Sequence, residues 1–281
     1  MKSTSHCVIC NTGSTTVFKA QMSSFVWERM SGKVMLDGVI IAGIWCEHCS
    51  FVQSEYRFSP EEEARYYHEY MQDKPFDPTN SRQHGDYVFH RLRNEGPDWY
   101  SWVHLYQSPE YIGMRKNIMN QCFDAYGEKL STIKTVLDYG GDRGQYIPDE
   151  VKTKYVLEVE NRTPVTGVSA IASVNDIEPV DLVMCCHTLE HVSYPMDLVR
   201  DMKRYLKPGG LIYLEVPDEV DNLTNNPDTF KFHEHINLFT ADSLHKILIM
   251  EGFEPSIVYK IEYKSTEQTL ERAQSIIGRL K

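Results

Sequence analysis

The chain has 281 residues, with 29 Lys and Arg against 40 Asp and Glu, for a formal net charge of −11. An acidic balance without a long basic tract excludes a surface built to grip nucleic-acid phosphates. No apolar run approaches the ~18 residues of a membrane-spanning helix, and the opening MKSTSHCVIC lacks the apolar core of a secretory leader. A cytoplasmic protein with reduced thiols is expected, long enough for one full domain and a smaller one.

Four of the seven cysteines form two knuckles, Cys7-Val8-Ile9-Cys10 and Cys46-Glu47-His48-Cys49. Two CxxC pairs in a reducing compartment fit a tetrahedral thiolate site for structural Zn²⁺, with iron as the other metal the spacing allows and disulfides or buried thiols as the metal-free reading. The strand-like run 34–44 between the pairs fits a zinc-ribbon module over residues 1–55. Four thiolates fill the shell, so the metal is expected to be structural. Cys122, Cys185 and Cys186 read as ordinary buried residues.

A segment of different character follows, residues 56–130, expected to be a helical linker or lid. Ser59-Pro60-Glu61-Glu62-Glu63 is a helix start, with Ser as cap, Pro at the first position and acids in the first turn. That helix should continue through Tyr66, Tyr67 and Tyr70. These tyrosines are read as an amphipathic packing face or as the wall of a substrate pocket. Residues 73–85 are expected as loop, and residues 99–126 as mostly helical.

Residues 131–281 read as an α/β, Rossmann-like domain with a mostly parallel, doubly wound sheet. The stretch TVLDYGGDRGQYIP (residues 135–148) predicts a strand ending in Asp138, a turn on Gly140, Gly141 and Gly144, and a helix start. A second apolar run ends at Glu158, where a carboxylate suits ribose hydroxyls. The turn lacks the G-x-G-x-x-G that cradles a pyrophosphate, and Asp142 would repel one. A cationic ligand without phosphates fits better, and S-adenosylmethionine (SAM) is such a ligand. Asp176, after the presumed third strand, is expected near the adenine amino group. VDLVMCC (residues 180–186) predicts the fourth strand, with His187 at its tip on the cofactor side. A helix over residues 197–206 and the turn LKPGG lead into a fifth strand at 211–216.

Thr240, Asp242 and Ser243 open an amphipathic helix ending at Gly252, and His233-Glu234-His235 precedes it. Imidazole at the carboxyl edge of the sheet can take a proton from a hydroxyl, so His235 is the expected general base, Glu234 its orienting partner, and His191 a wall of the same pocket. A capping turn with solvated side chains is the plain alternative. A divalent-metal site would need further carboxylates, and none cluster in this stretch. The last elements expected are a strand-like run over 256–263 and a short helical tail.

The D-x-G-x-x-x-G turn, the LEHV after the fourth strand and LKPGG resemble class I SAM-dependent methyltransferases. With the two cysteine knuckles and the HEH stretch, the chain is similar to zinc-containing sugar methyltransferases, closest to deoxysugar C-methyltransferases of nucleotide-linked keto-sugars. The resemblance implies a catalytic Glu-His pair at Glu234 and His235, with His191 as the histidine after the fourth strand. Phe232 stands where the family has tyrosine, and the family's large C-terminal domain has no counterpart here. Both favour O-methylation of a sugar-like metabolite, as in surface-glycan biosynthesis, over C-methylation of a keto-sugar nucleotide. The rival from another class is a scaffold protein with a degenerate core.

Overall fold

A computed structural model describes residues 2–22, 27, 39–64, 108–159, 162–225, 230–232, 235–264 and 270–281. Tyr66, Tyr67 and Tyr70, the 73–85 loop, residues 34–38 and 99–107, His233 and Glu234 lie outside them. In chain order the elements are β1 (Lys2–Ser3), β2 (Thr15–Met22), β3 (Val39–Cys46), β4 (Val52–Ser54), β5 (Tyr56–Arg57), α1 (Pro109–Tyr126), β6 (Thr135–Tyr139), β7 (Thr153–Leu157), β8 (Ser169–Ile171) and β9 (Val180–Cys186). They continue as α2 (Pro195–Lys203), β10 (Leu206–Pro217), α3 (Val220–Asn225), β11 (Lys231–Phe232), β12 (Asn237–Leu238), α4 (Ala241–Met250), β13 (Phe253–Pro255), β14 (Tyr259–Lys264) and β15 (Leu270–Leu280).

The larger sheet runs β13-β15-β10-β9-β6-β7-β8, with β14 also paired to β15. Strands β6 to β10 are mutually parallel, and β15 lies antiparallel to β10. Val136 and Leu137 of β6, and Leu182 to Cys185 of β9, are completely buried. Such unbroken apolar runs belong to central strands covered on both faces. Strand order reverses between β6 and β9, which opens a crevice at their carboxyl ends.

Two expectations for this domain are corrected. No helix follows the glycine turn: residues 140–152 are turns and bends leading directly into β7. Gly140, Asp142 and Gly144 all have positive φ, at 69°, 53° and 71°, and left-handed residues so closely spaced prevent a right-handed helix from starting. The C-terminal tail is not helical either. It forms β15, a strand between β10 and β14 whose residues 273–277 are fully buried. Pairing demand overrides local propensity here, because without β15 the inner edge of β10 would leave buried backbone groups unpaired. LKPGG falls within β10 as an irregularity, with the pairing register to β9 shifting between Leu206 and Leu211.

Helix α1 is capped by the Ser108 hydroxyl, which accepts from Tyr111 N, and it closes at Gly127 in the left-handed region. Its Met119, Cys122 and Phe123 pack into the core beneath the sheet. Residues 60–64 form the expected helix start: Glu62 N donates to Ser59 Oγ (3.3 Å) and Ser59 N donates to Glu62 Oε2 (2.9 Å), a reciprocal cap.

The smaller sheet has the order β11-β2-β3-β4-β12. Its three central strands come from the N-terminal module, while both edge strands come from the segment after β10. The knuckle residues Cys7, Ile9, Cys46, Cys49 and Phe51 share one apolar core with Phe239, Leu244 and β9.

Candidate active site and metal centres

At the tip of β6, Asp138 is 1% exposed, and neither carboxylate oxygen has a hydrogen-bond partner. Burial, reinforced by the nearby Glu158 charge, lifts its pKa to about 8. The turn closes over it: a methyl group on Gly141 would lie 2.1 Å from Asp138 Cγ, and one on Gly140 would lie 2.7 Å from Thr188 Oγ1. Glycine is therefore required where the turn meets the tips of β6 and β9. Asp142, the departure from the usual turn, is tied into it. Its N–H donates to Glu158 Oε2 (3.0 Å), and its carboxylate accepts from Gln145 Nε2 (3.2 Å) and pairs with Arg162 (3.1 Å). The structure thus brings Asp138, Gly140, Gly141, Gly144 and Glu158 together at the crevice. Asp176 is differently engaged. Its Oδ2 accepts from Ala172 N (2.7 Å) and Ser173 N (2.6 Å), which caps a short 3₁₀ turn and holds its carboxyl below the ordinary value.

The tips of β9 and β10 hold the second half of the site. His187, in the left-handed region at φ 53°, places Nε2 3.2 Å from Glu215 Oε1 and Nδ1 3.6 Å from Glu190 Oε1. Glu215 is buried against Arg115 of α1 and accepts from Tyr213 OH (2.5 Å). Burial pushes its carboxyl up, but the Arg115 guanidinium outweighs this and holds it down at about 2. Arg115 in turn lies over the rings of Tyr111, Tyr146 and Tyr263. Glu190 is 1% exposed with neither oxygen hydrogen-bonded, and burial raises its pKa against the pull of His187 and His235.

His191 and His235 lie side by side, with ring centroids 4.8 Å apart at 75°. His235 Nδ1 lies 2.6 Å from Glu219 Oε2, so the carboxylate that orients it within the described residues is Glu219. One reading is corrected here: carboxylates do cluster at this point, Glu190 from the β9 loop and Glu219 after β10. Sequence reasoning passed over both, although Glu219 follows a strand tip where site residues collect. The two loops are stitched together by backbone: Ile236 N and Asn237 N donate to Glu190 O (2.9 and 3.1 Å), and Asn237 Nδ2 donates to Leu189 O (3.0 Å) and Val192 O (2.7 Å).

All seven cysteines are free thiols. Cys7 Sγ lies 3.6 Å from Cys49 Sγ, and Cys10 Sγ lies 3.5 Å from Cys46 Sγ. Those separations are too long for disulfides and close to the ~3.8 Å edge of a tetrahedron with ~2.3 Å Zn–S bonds. The four thiols fit a structural zinc ion, which would tie the two knuckles together.

A mostly parallel sheet with this reversal point, a glycine turn over a buried acid and a second carboxylate just past the neighbouring strand is the arrangement of a Rossmann-like methyltransferase domain. The chain belongs to the methyltransferase-domain family, whose model matches residues 111–256, just over half of its length, and it is an enzyme that uses SAM. A search of curated proteins found no significant match. Among solved structures, it is similar to a SAM-dependent methyltransferase from Thermotoga maritima described as a possible histamine N-methyltransferase (16% identity, 69% of this chain, 99% of that one, TM-score 0.46). It is also similar to magnesium protoporphyrin IX methyltransferase from Synechocystis PCC 6803 with bound S-adenosylhomocysteine (12% identity, 70% and 100%, TM-score 0.47). No helix among the described residues is long and apolar enough to cross a membrane.

Proposed function

We propose that the enzyme methylates an oxygen of a polar, sugar-like metabolite. The observation that supports this most is the histidine–carboxylate cluster of His187, Glu190, His191 and His235, set against the glycine turn through Thr188. SAM supplies a methyl group already activated on a cationic sulfur. Asp138 would offset the charge of its amino group, Glu158 would hold the ribose, and Gly140, Gly141 and Gly144 would let the backbone approach. Asp176 is proposed on the adenine side through its remaining carboxylate oxygen, and His187 beside the cofactor.

On the other side, His235 and His191 are proposed to meet the acceptor hydroxyl, which gives up its proton there. Alignment of oxygen, methyl and sulfur, with loss of that proton, is the main demand of O-methylation. Cys7, Cys10, Cys46 and Cys49 are proposed to hold structural Zn²⁺. A screen of nucleotide sugars and phosphosugars with SAM, read as S-adenosylhomocysteine formation, tests the reading. Turnover of a hydroxylated sugar is expected. SAM binding without turnover of any sugar would overturn the acceptor class.

A further inference from the structure

We infer that Glu190, His191 and His235 form a second metal site, separate from the four cysteines, that takes one divalent first-row cation and presents it to the hydroxyl oxygens of the acceptor. The donor atoms of these three residues all lie within 4.8 Å of one another. Glu190 Oε1 stands 3.7 Å from His191 Nε2, too far for a hydrogen bond and near the ~3–3.5 Å that separates two ligands sharing an ion.

The independent sign is Glu190 itself, a carboxylate 1% exposed with neither oxygen hydrogen-bonded. Burying a carboxylate with no hydrogen bond costs several kcal/mol, and its nearest imidazole nitrogens, at 3.6 and 3.7 Å, stand too far off to supply one, which leaves room for a cation between them. His235 supports the assignment through its other nitrogen, because Glu219 at 2.6 Å on Nδ1 is the outer carboxylate that orients a metal-binding imidazole. Two imidazoles and one carboxylate suit Mn²⁺, Fe²⁺, Co²⁺ or Zn²⁺ rather than a soft ion, and three protein ligands leave coordination positions open. His191 and His235 are 19% and 21% exposed, so these positions face outward, where two neighbouring hydroxyls of a sugar-like acceptor can enter.

The acceptor half of this inference rests on the methyltransferase proposal above and replaces the histidines as proton acceptors, since a metal-bound imidazole has no lone pair free for the proton. The cation acidifies the hydroxyl, and the O–H bond breaks with its proton passing to solvent. The oxygen then forms the new O–CH₃ bond as the S–CH₃ bond breaks, and sulfur keeps the electron pair.

Mn²⁺ is the probe, since it prefers nitrogen and oxygen over thiolates and leaves a zinc-loaded cysteine site alone. Titration of the full chain, followed by electron paramagnetic resonance, should show about one Mn²⁺ bound, with nitrogen hyperfine coupling from imidazole. Glu190→Gln and His191→Ala should each abolish or greatly weaken it, and Glu219→Gln should weaken it ~10–100-fold. SAM affinity and zinc content, measured on the same samples, identify variants that remain folded. No binding of Mn²⁺, Co²⁺ or Fe²⁺, or binding unchanged in folded Glu190→Gln and His191→Ala, overturns the site. Full turnover of an identified acceptor after removal of this ion would overturn its catalytic part. Binding of the ion with no sugar turned over would confirm the site and sink only the acceptor reading.

Discussion

Replacing Asp138 by asparagine isolates the charge at the centre of the cofactor site. The Asp138 carboxyl is buried without a hydrogen-bond partner, and its pKa stands at about 8 against an ordinary 3.8. With the folded value above the unfolded one, this group favours folding only while protonated. That contribution is complete below pH 3.8 and is lost as pH rises through about 8. At ~1.4 kcal/mol per pH unit, the gap amounts to an upper limit of ~6 kcal/mol on the alkaline side. Asn has the same shape and cannot ionise, so ligand-free Asp138→Asn should gain stability relative to wild type as pH rises from 5 to 8.5.

Binding reverses the balance. Near pH 7 about nine-tenths of the ligand-free protein carries the Asp138 proton, and a cationic amino group beside the carboxylate should expel it. Calorimetric titration with SAM in two buffers of different protonation heat should therefore show wild type releasing ~0.9 proton more than Asp138→Asn does. Wild-type affinity should rise close to tenfold per pH unit below pH 7.5. Equal proton release by the two proteins, or a stability difference flat across this range, would refute the reasoning.

Glu158→Ala removes both the proposed ribose contact and the acceptor that pins Asp142 N; SAM affinity should fall ~10–150-fold by calorimetry, and unchanged affinity would move the ribose elsewhere. Elemental analysis should find about one zinc per chain, lost in Cys46→Ser, with amide exchange accelerated in β2, β3 and residues 230–238 and not in β6 or β9. Arg115→Met strands Glu215 as a buried charge and should cost ~3–5 kcal/mol in thermal or denaturant unfolding. Adding Glu215→Gln should recover much of that loss, and a double variant no better than the single would show that Arg115 acts through its tyrosine contacts instead.

What the sequence makes legible is local. The β6 run, its glycine turn and Glu158 lie within about two dozen residues, and each CxxC pair sets two sulfurs side by side, the pairs then being brought together by the β2–β3 pairing. The elements it conceals are those decided at a distance. β15 is buried on both faces, so its residues show no period-2 alternation, and only the open edge of β10 calls for a strand there. The turns at 140–152 depend on left-handed residues, one of them Asp142, whose conformation the sequence does not announce. The metal-type cluster needs Glu190, Glu219 and His235 from three loops. Glu190 is visible only as part of LEHV, and nothing in that motif says that its carboxylate has no hydrogen-bond partner.

The N-terminal module is bound into this arrangement rather than appended to it. Its sheet is closed on both edges by β11 and β12, and His235 lies on the short segment between those strands. Arg57, 2% exposed, donates to Ser54 O (2.7 Å) within the module, to Asn237 Oδ1 (2.7 Å) in β12, and to Ser193 O (3.2 Å) just past His191. Ser193 answers with its own N–H, donated to Glu63 Oε1 (2.6 Å), and its hydroxyl accepts from Phe58 N (2.7 Å). One buried guanidinium and two edge strands therefore fix the relative positions of the loops that carry His191 and His235. Any ion at the four cysteines acts on the same body, since Cys46 ends β3 and Cys49 precedes β4. Strands β3 and β4 link the cysteine knuckles to β12, which pairs with β4, and so to the segment that carries His235.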